Sequence, residues 1–298
     1  MKYFHEIKVN DAEINLQDAL VRHSADECIC YNIVGDEKLY LGYYYPMNYK
    51  KSNKYPTFLF VHGGGWVSKK IFADQPHWQG DHLGYLARYY ADKGFLCVSI
   101  DYRMIRGNGQ VEEYELINSY EDCCDALDFI LHHADEYGVD VNKLYLLGES
   151  AGGYLAGALA TFSYKRRYFF KKVFLINAIT GFDEKWSEFL PTKSAHYKLM
   201  HLKFCEYEKF LSPIHQIDGN TSEIILIHGE ADTCVSLKHS IDFYNKMRIK
   251  QKKCELHVIE KTEHAFLLAE YTREIEACKI GIEIINKAIG GRKWILQN

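Results

Sequence analysis

The pentapeptide Gly148-Glu149-Ser150-Ala151-Gly152, followed by Gly153, places one serine between residues that have no side chain or almost none. It fits G-x-S-x-G, and it lies between an apolar strand-like run and a helix-like one, the context that motif requires. The spacing has a steric reason. A serine on a sharp strand-to-helix turn needs tiny neighbours, and that turn would lift the Ser150 hydroxyl clear of the sheet at a helix N-terminus. The chemistry implied is nucleophilic attack by Ser150 on a carbonyl carbon. A glycine-rich turn with an incidental serine is the alternative for the pentapeptide taken alone.

A nucleophile of this kind needs an anion site, a base and an acid. His62-Gly63-Gly64-Gly65-Trp66 follows the run Thr57–Val61. A tetrahedral intermediate carries negative charge, and backbone N–H groups must already point at it; each such donor is typically worth ~10²–10³ in rate. Glycines bring backbone to the substrate without a Cβ in the way. Gly63 and Gly64, joined by the N–H of Ala151, are the expected oxyanion donors. His62 is expected to hold the loop, and Trp66 and Glu149 to line the substrate pocket. His228-Gly229-Glu230-Ala231-Asp232 ends a further apolar run, where sheets of this class place their sites. Asp232 is the candidate acid; capping of a helix starting near Ser236 is its alternative role, and Glu230 competes with it. Of fourteen histidines, His264 in Glu263-His264-Ala265-Phe266 is the one that follows Asp232 in a loop after a strand, so it is the candidate base.

The elements that must position these residues are legible as apolar runs. Glu27–Val34 and Lys38–Tyr45 flank Gly35-Asp36, a two-residue hairpin signal. Strands are predicted at Thr57–Val61, Phe95–Ile100, Lys143–Leu147, Val173–Asn177, Glu223–Ile227 and Glu255–Ile259. Their near-continuous apolar character suits parallel strands covered on both faces. Helices are predicted at about Gly80–Lys93, Ser119–Tyr137, Ala151–Ser163, Leu237–Lys250 and Tyr271–Ile289. Asn10 with Glu13 resembles a capping box for an opening helix from about Asp11 to His23. The class is α/β: a mostly parallel, doubly wound sheet with an N-terminal antiparallel hairpin.

Bulk properties narrow the function further. The 298 residues are 47% hydrophobic and carry a net charge of −4, so no basic surface argues for nucleic acid or anionic membrane. The longest apolar stretches have the length of buried strands and fall far short of a membrane span. No leader-like run opens the chain. The nine cysteines are odd in number and form no recurring C-x-x-C pair, so neither a zinc site nor any other metal is expected. Free thiols suit a reducing compartment, which points to the cytoplasm. With five prolines and no Pro/Gly/Ser-rich linker, residues 1–298 read as one domain, with a small helical cap inserted at about 181–214.

The combined pattern resembles the hormone-sensitive-lipase-like branch of the α/β hydrolases, which includes acetyl esterases, carboxylesterases and kynurenine formamidases. The resemblance runs from about Glu27 to Leu268. It rests on His62–Trp66, Asp101-Tyr102-Arg103, Gly148–Gly153, Ser212-Pro213-Ile214, His228–Asp232 and His264–Phe266. It implies a triad in the chain order Ser150, Asp232, His264. It also implies structural roles for Asp101 and Arg103, and no cofactor. The chain departs from the family in having Ala265 where glycine often follows the histidine, and in a long stretch, Lys69–Leu83, holding His77, Trp78 and His82.

The expected activity is a serine carboxylesterase acting on a small-molecule acyl ester. A formamidase or other acyl-bond hydrolase of the same fold is the rival, and a non-catalytic ligand-binding relative is remote because Ser150, Asp232 and His264 are all present. Homo-oligomerisation is left open. The aromatic residues Phe182, Trp186, Phe189, Tyr197, Phe204, Tyr207 and Phe210, with Trp66 across the same cavity, imply a preference for acetyl to butyryl groups with activity dropping by octanoyl, because bulky rings fill the space a long chain needs.

Overall fold

The computed structural model describes residues 24–66, 83–104, 113–162, 168–182, 210, 212–267 and 275–290. The predicted opening helix at 11–23, the stretch Lys69–Leu83 except Leu83 itself, and most of the expected cap at 181–214 lie outside them.

Eight strands make one sheet: β1 (Glu27–Val34), β2 (Glu37–Tyr44), β3 (Tyr55–Val61), β4 (Leu96–Ile100), β5 (Val139–Glu149), β6 (Lys172–Ile176), β7 (Ile224–Gly229) and β8 (Cys254–Ile259). Their spatial order is β1-β2-β4-β3-β5-β6-β7-β8. β2 runs antiparallel to both β1 and β4, and every later pairing is parallel. Gly35, at φ 61, makes the two-residue turn between β1 and β2. The expected hairpin and parallel series are therefore both present.

The five α-helices among the described residues are α1 (Gly84–Asp92), α2 (Glu113–His132), α3 (Ala151–Thr161), α4 (Lys238–Ile249) and α5 (Ile275–Ala288). A one-turn 3₁₀ segment spans Pro213–His215. They cover both faces of the sheet. On β3, Leu59 and Val61 join the core shared with α2, α3 and α4, while Phe58 and Phe60 join the core shared with α1 and α5. Burial on both faces is why the strands read as unbroken apolar runs instead of alternating ones.

Two predicted boundaries are corrected. β5 is longer than Lys143–Leu147 at both ends, because Val139 and Asp140 pair with Tyr55 and Pro56 before a register shift. The helix predicted at Ser119–Tyr137 begins at Glu113 and stops at His132, and the chain then turns through Gly138 at φ 68 into β5. Apolar spacing misses the polar first turn of α2 and reads the turn after it as helix.

Asp101 and Arg103, at the C-terminal end of β4, act as a brace. Asp101 accepts N–H groups from Tyr102 and Tyr40 at 3.0 and 3.4 Å. Arg103 grips Asp122 of α2 through Nε and Nη2, each at 2.8 Å, a bidentate pairing. They serve the frame rather than the chemistry, as the family resemblance implies.

Candidate active site

Ser150 sits between β5 and α3 with φ 54 and ψ −117, a conformation that costs a non-glycine residue of order 1–3 kcal/mol and persists only when its surroundings impose it. Here the surroundings are backbone. A Cβ on Gly148 would meet the Gly152 carbonyl oxygen at 2.1 Å, and a Cβ on Gly152 would meet the Val61 oxygen at 2.1 Å and the His62 oxygen at 2.3 Å. The turn is thus clamped between the end of β3 and its own helix. The Ser150 N–H donates to the Ile176 oxygen of β6 at 2.9 Å, which completes the clamp.

The glycine loop after β3 lies against this turn. A Cβ on Gly63 would come 3.0 Å from the Glu149 oxygen and 3.3 Å from Ser150 Cβ. Gly64 takes φ 107, a conformation open to glycine. His62 is buried and stacks on Tyr102 at 4.5 Å, and Tyr102 donates its hydroxyl to the His62 carbonyl at 2.7 Å. Trp66, at φ 60, is fully buried edge-on to Tyr154 of α3 at 5.5 Å and beside Phe182 at 6.3 Å. Trp66 and Phe182 therefore belong to one aromatic cluster rather than facing each other across a cavity. Glu149 is 1% exposed at the last position of β5.

The other half of the site comes from the loops after β7 and β8. His264 Nε2 is 3.0 Å from Ser150 Oγ, and His264 Nδ1 is 2.7 Å from Asp232 Oδ2. Asp232 Oδ1 accepts the N–H groups of Cys234 and Val235, both at 2.8 Å. These turn contacts fall ahead of α4, which has Leu237 as its N-cap, so Asp232 does not cap that helix. Glu230 is exposed and its Oε2 accepts Lys261 N–H at 3.1 Å, so it does not compete for His264.

Electrostatics follow from this arrangement. Burial pushes the Asp232 carboxyl up, but the donors on His228 and His264 outweigh it and hold the group well below the usual carboxylate range. Burial works against the His264 imidazolium too. The Asp232 carboxylate and then Cys234 outweigh it, so the ring titrates above the ordinary imidazole value. Because Asp232 accepts at Nδ1, the neutral ring presents a lone pair at Nε2 to the Ser150 hydroxyl.

The two loops are stitched to each other. Glu230 N–H donates to Ile259 and Ala231 N–H to Thr262, both at 2.9 Å, while Glu263 accepts from Thr233 N–H and Oγ1 at 3.1 and 2.9 Å. Three participants escaped the sequence reading. Asn177, buried at φ 44, accepts the Gly229 N–H on its Oδ1 at 3.0 Å and so ties β6 to the acid loop. His228 and Ser240 lie behind Asp232. For His228 the available signal was its place at a strand end; for Asn177 and Ser240 there was none. Ala265 stands at φ 60, which accounts for the glycine that often follows the histidine in the family it resembles.

Among the described residues no group of three or more His, Cys, Asp or Glu side chains is arranged to hold a metal ion, and no helix is long and apolar enough to cross a membrane.

Known proteins share this fold. A Thermogutta terrifontis esterase bound to propionate superposes with a TM-score of 0.72 at 20% identity, covering 96% of this chain and all of that one, and the same esterase phosphonylated by sarin gives 0.74 at 21%. The shared fold is that of the α/β hydrolases. Lipase 2 of Moraxella sp. is 31% identical over 111 residues, covering 37% of this chain and 22% of the lipase. A probable isoprenylcysteine alpha-carbonyl methylesterase of Oryza sativa is 29% identical over 131 residues, covering 42% of this chain and 26% of that protein. The chain spans about a quarter of the length of these curated relatives. The BD-FAE family model matches residues 41–247, a stretch that takes in the glycine loop, the Ser150 turn and Asp232. The chain belongs to the BD-FAE family.

Proposed function

We propose that the chain is a serine carboxylesterase that cleaves short-chain acyl esters through an acyl-enzyme. The observation that carries this reading is the continuous contact from Ser150 Oγ through His264 to Asp232, at 3.0 and 2.7 Å, on a strained, buried turn. The similarity to esterases and to a lipase supports it.

His264 Nε2 takes the Ser150 proton as Oγ attacks the ester carbonyl. Asp232 keeps the Nδ1–H tautomer and stabilises the imidazolium that forms. The N–H groups of Gly63, Gly64 and Ala151 receive the oxyanion; the contact of Gly63 with Ser150 supports their assignment. His264 then gives its proton to the leaving alcohol, and water clears the acyl group by the same route. The short-chain preference rests on the propionate and butyrate bound in the Thermogutta esterase of the same fold. A single-domain soluble enzyme of the cytoplasm fits the charge and free-thiol composition.

The test is kcat/KM for p-nitrophenyl esters of two to twelve carbons beside an aryl formamide. The expected maximum lies between acetyl and butyryl. A maximum at ten or twelve carbons overturns the chain-length reading, and formamide turnover above that of every ester overturns the esterase reading.

A further inference from the structure

The Asp232 carboxylate carries a second histidine. His228, fully buried at the end of β7, places Nε2 2.9 Å from the Val235 carbonyl oxygen and 3.3 Å from Asp232 Oδ2, the oxygen that also receives His264. Both of these neighbours only accept, so Nε2 must carry the ring proton and share it between them. Nδ1 of the same ring lies 2.8 Å from Ser240 Oγ on α4, which is also fully buried and supplies the hydroxyl proton. The contacts therefore run on past the acid as Ser150, His264, Asp232, His228, Ser240, with a serine–histidine pair on each side of one carboxylate.

A carboxylate offers about four acceptor positions. In Asp232 two are taken at Oδ1 by the Cys234 and Val235 N–H groups and one at Oδ2 by His264. His228 takes the fourth. We propose that His228 is a positioning residue for the triad acid. Its shared Nε2–H fills the remaining acceptor position of Oδ2 and pins the Val235 carbonyl, so that Asp232 stays ionised and presents one fixed lone pair to His264 Nδ1–H. This rests on the reading of Asp232 as that acid. The titratable groups on the carboxylate are His228 from β7 and His264 from the loop after β8, and the Cys234 thiol faces His264. Glu230 and Glu263 engage Lys261 and Thr233 instead.

The role has a consequence that packing alone would not produce. Withdrawing the His228 donor raises the proton affinity of Asp232, which then holds the His264 imidazolium more tightly. The acid limb of kcat/KM should move to higher pH, and kcat should fall while KM stays near its original value. Two polar replacements separate the cases. In His228→Gln the amide N–H reaches where Nε2 stood; in His228→Asn a polar group remains for Ser240, but the donor to Asp232 is gone.

The experiment compares both variants with wild type and Asp232→Asn in the full chain, with folding followed by circular dichroism. His228→Asn is expected to lose about 10–100-fold in kcat, the range typical when a group orienting a site ligand is removed. Its acid limb should rise, and His228→Gln should restore both. Equal kcat and equal acid limbs in the two folded variants, beside an inactive Asp232→Asn, overturn the proposal and leave the triad intact. An Asp232→Asn variant at wild-type activity overturns the triad reading and this one with it. In the unaltered protein, histidine-ring nitrogen shifts measured by NMR give a check that needs no variant: a His228 ring without a proton at Nε2 overturns the proposal.

Discussion

The two halves of the site are held by different forces. Around Ser150 the contacts are between backbones: the oxygens of Val61, His62, Gly152 and Glu149 press on positions where only glycine fits. Around Asp232 and His264 the contacts are hydrogen bonds between two surface loops, with Glu230, Thr233 and Glu263 exposed and Asn177, His228 and Ser240 buried behind them. Repulsion between hard atoms is steep and tolerates almost no displacement. Hydrogen bonds and charge are softer and can be rebuilt from other donors. The nucleophile is therefore set by shape, and its partners are set by a network whose members can be exchanged one at a time.

Four perturbations sharpen that contrast. Removing the nucleophile gives the largest effect. Ser150→Ala should fold and lose on the order of 10⁶ in turnover, the loss seen when such a nucleophile is deleted. A steady-state assay that finds a tenth of wild-type turnover would remove Ser150 from its role.

The next effect tests the softer half. Asp232→Asn should cost about 10⁴ in kcat, because an amide favours the wrong imidazole tautomer, whereas Glu230→Gln should stay close to wild type. The pH profile adds a sign. His264 must be neutral to act, and the carboxylate raises its titration point, so kcat/KM of the wild type should fall as pH drops through a midpoint above the ordinary imidazole value of 6.5. Residual activity of Asp232→Asn should titrate lower. The reverse order of the two variants, or a midpoint that Asp232→Asn leaves in place, would show that another acid serves His264.

On the rigid side, Gly152→Ala puts a methyl 2.1 Å from the Val61 oxygen, and no rotamer relieves it. It should cost about 3 kcal/mol or more of stability, at the upper end for overpacked positions, readable as a lowered denaturation midpoint. An unchanged midpoint would mean that the elbow is less constrained than its contacts imply. The smallest effect is on the soft side. Ala265→Gly relieves a left-handed alanine of about 1 kcal/mol but makes the unfolded chain more flexible, for a net gain of a few tenths of a kcal/mol with kcat unchanged. A clear loss in melting temperature would contradict that φ assignment.

The strands, the hairpin and the Ser150 turn were legible in the chain because their causes are local. An apolar run covered on both faces, a Gly35-Asp36 turn and a serine between glycines each announce themselves within a few neighbours. The candidate base and acid were legible only through chain order and strand ends. The choice between Asp232 and Glu230, two residues apart, depended on which carboxylate meets a ring 32 positions away from Asp232. Asn177 carried no functional mark, and His228 only its place at a strand end. Asn177 reaches a backbone amide 52 residues on, and His228 matters because the loop after its strand doubles back, so that Val235 and Asp232 both meet its Nε2. The glycines around Ser150 and the apolar runs announce themselves within a few neighbours, so sequence alone determined the elbow and the strands that carry it, although the Val61 and His62 oxygens that close on Gly152 come from β3. Hydrogen-bond partners are selected by distances of about 3 Å between distant segments, and only the folded chain decides those.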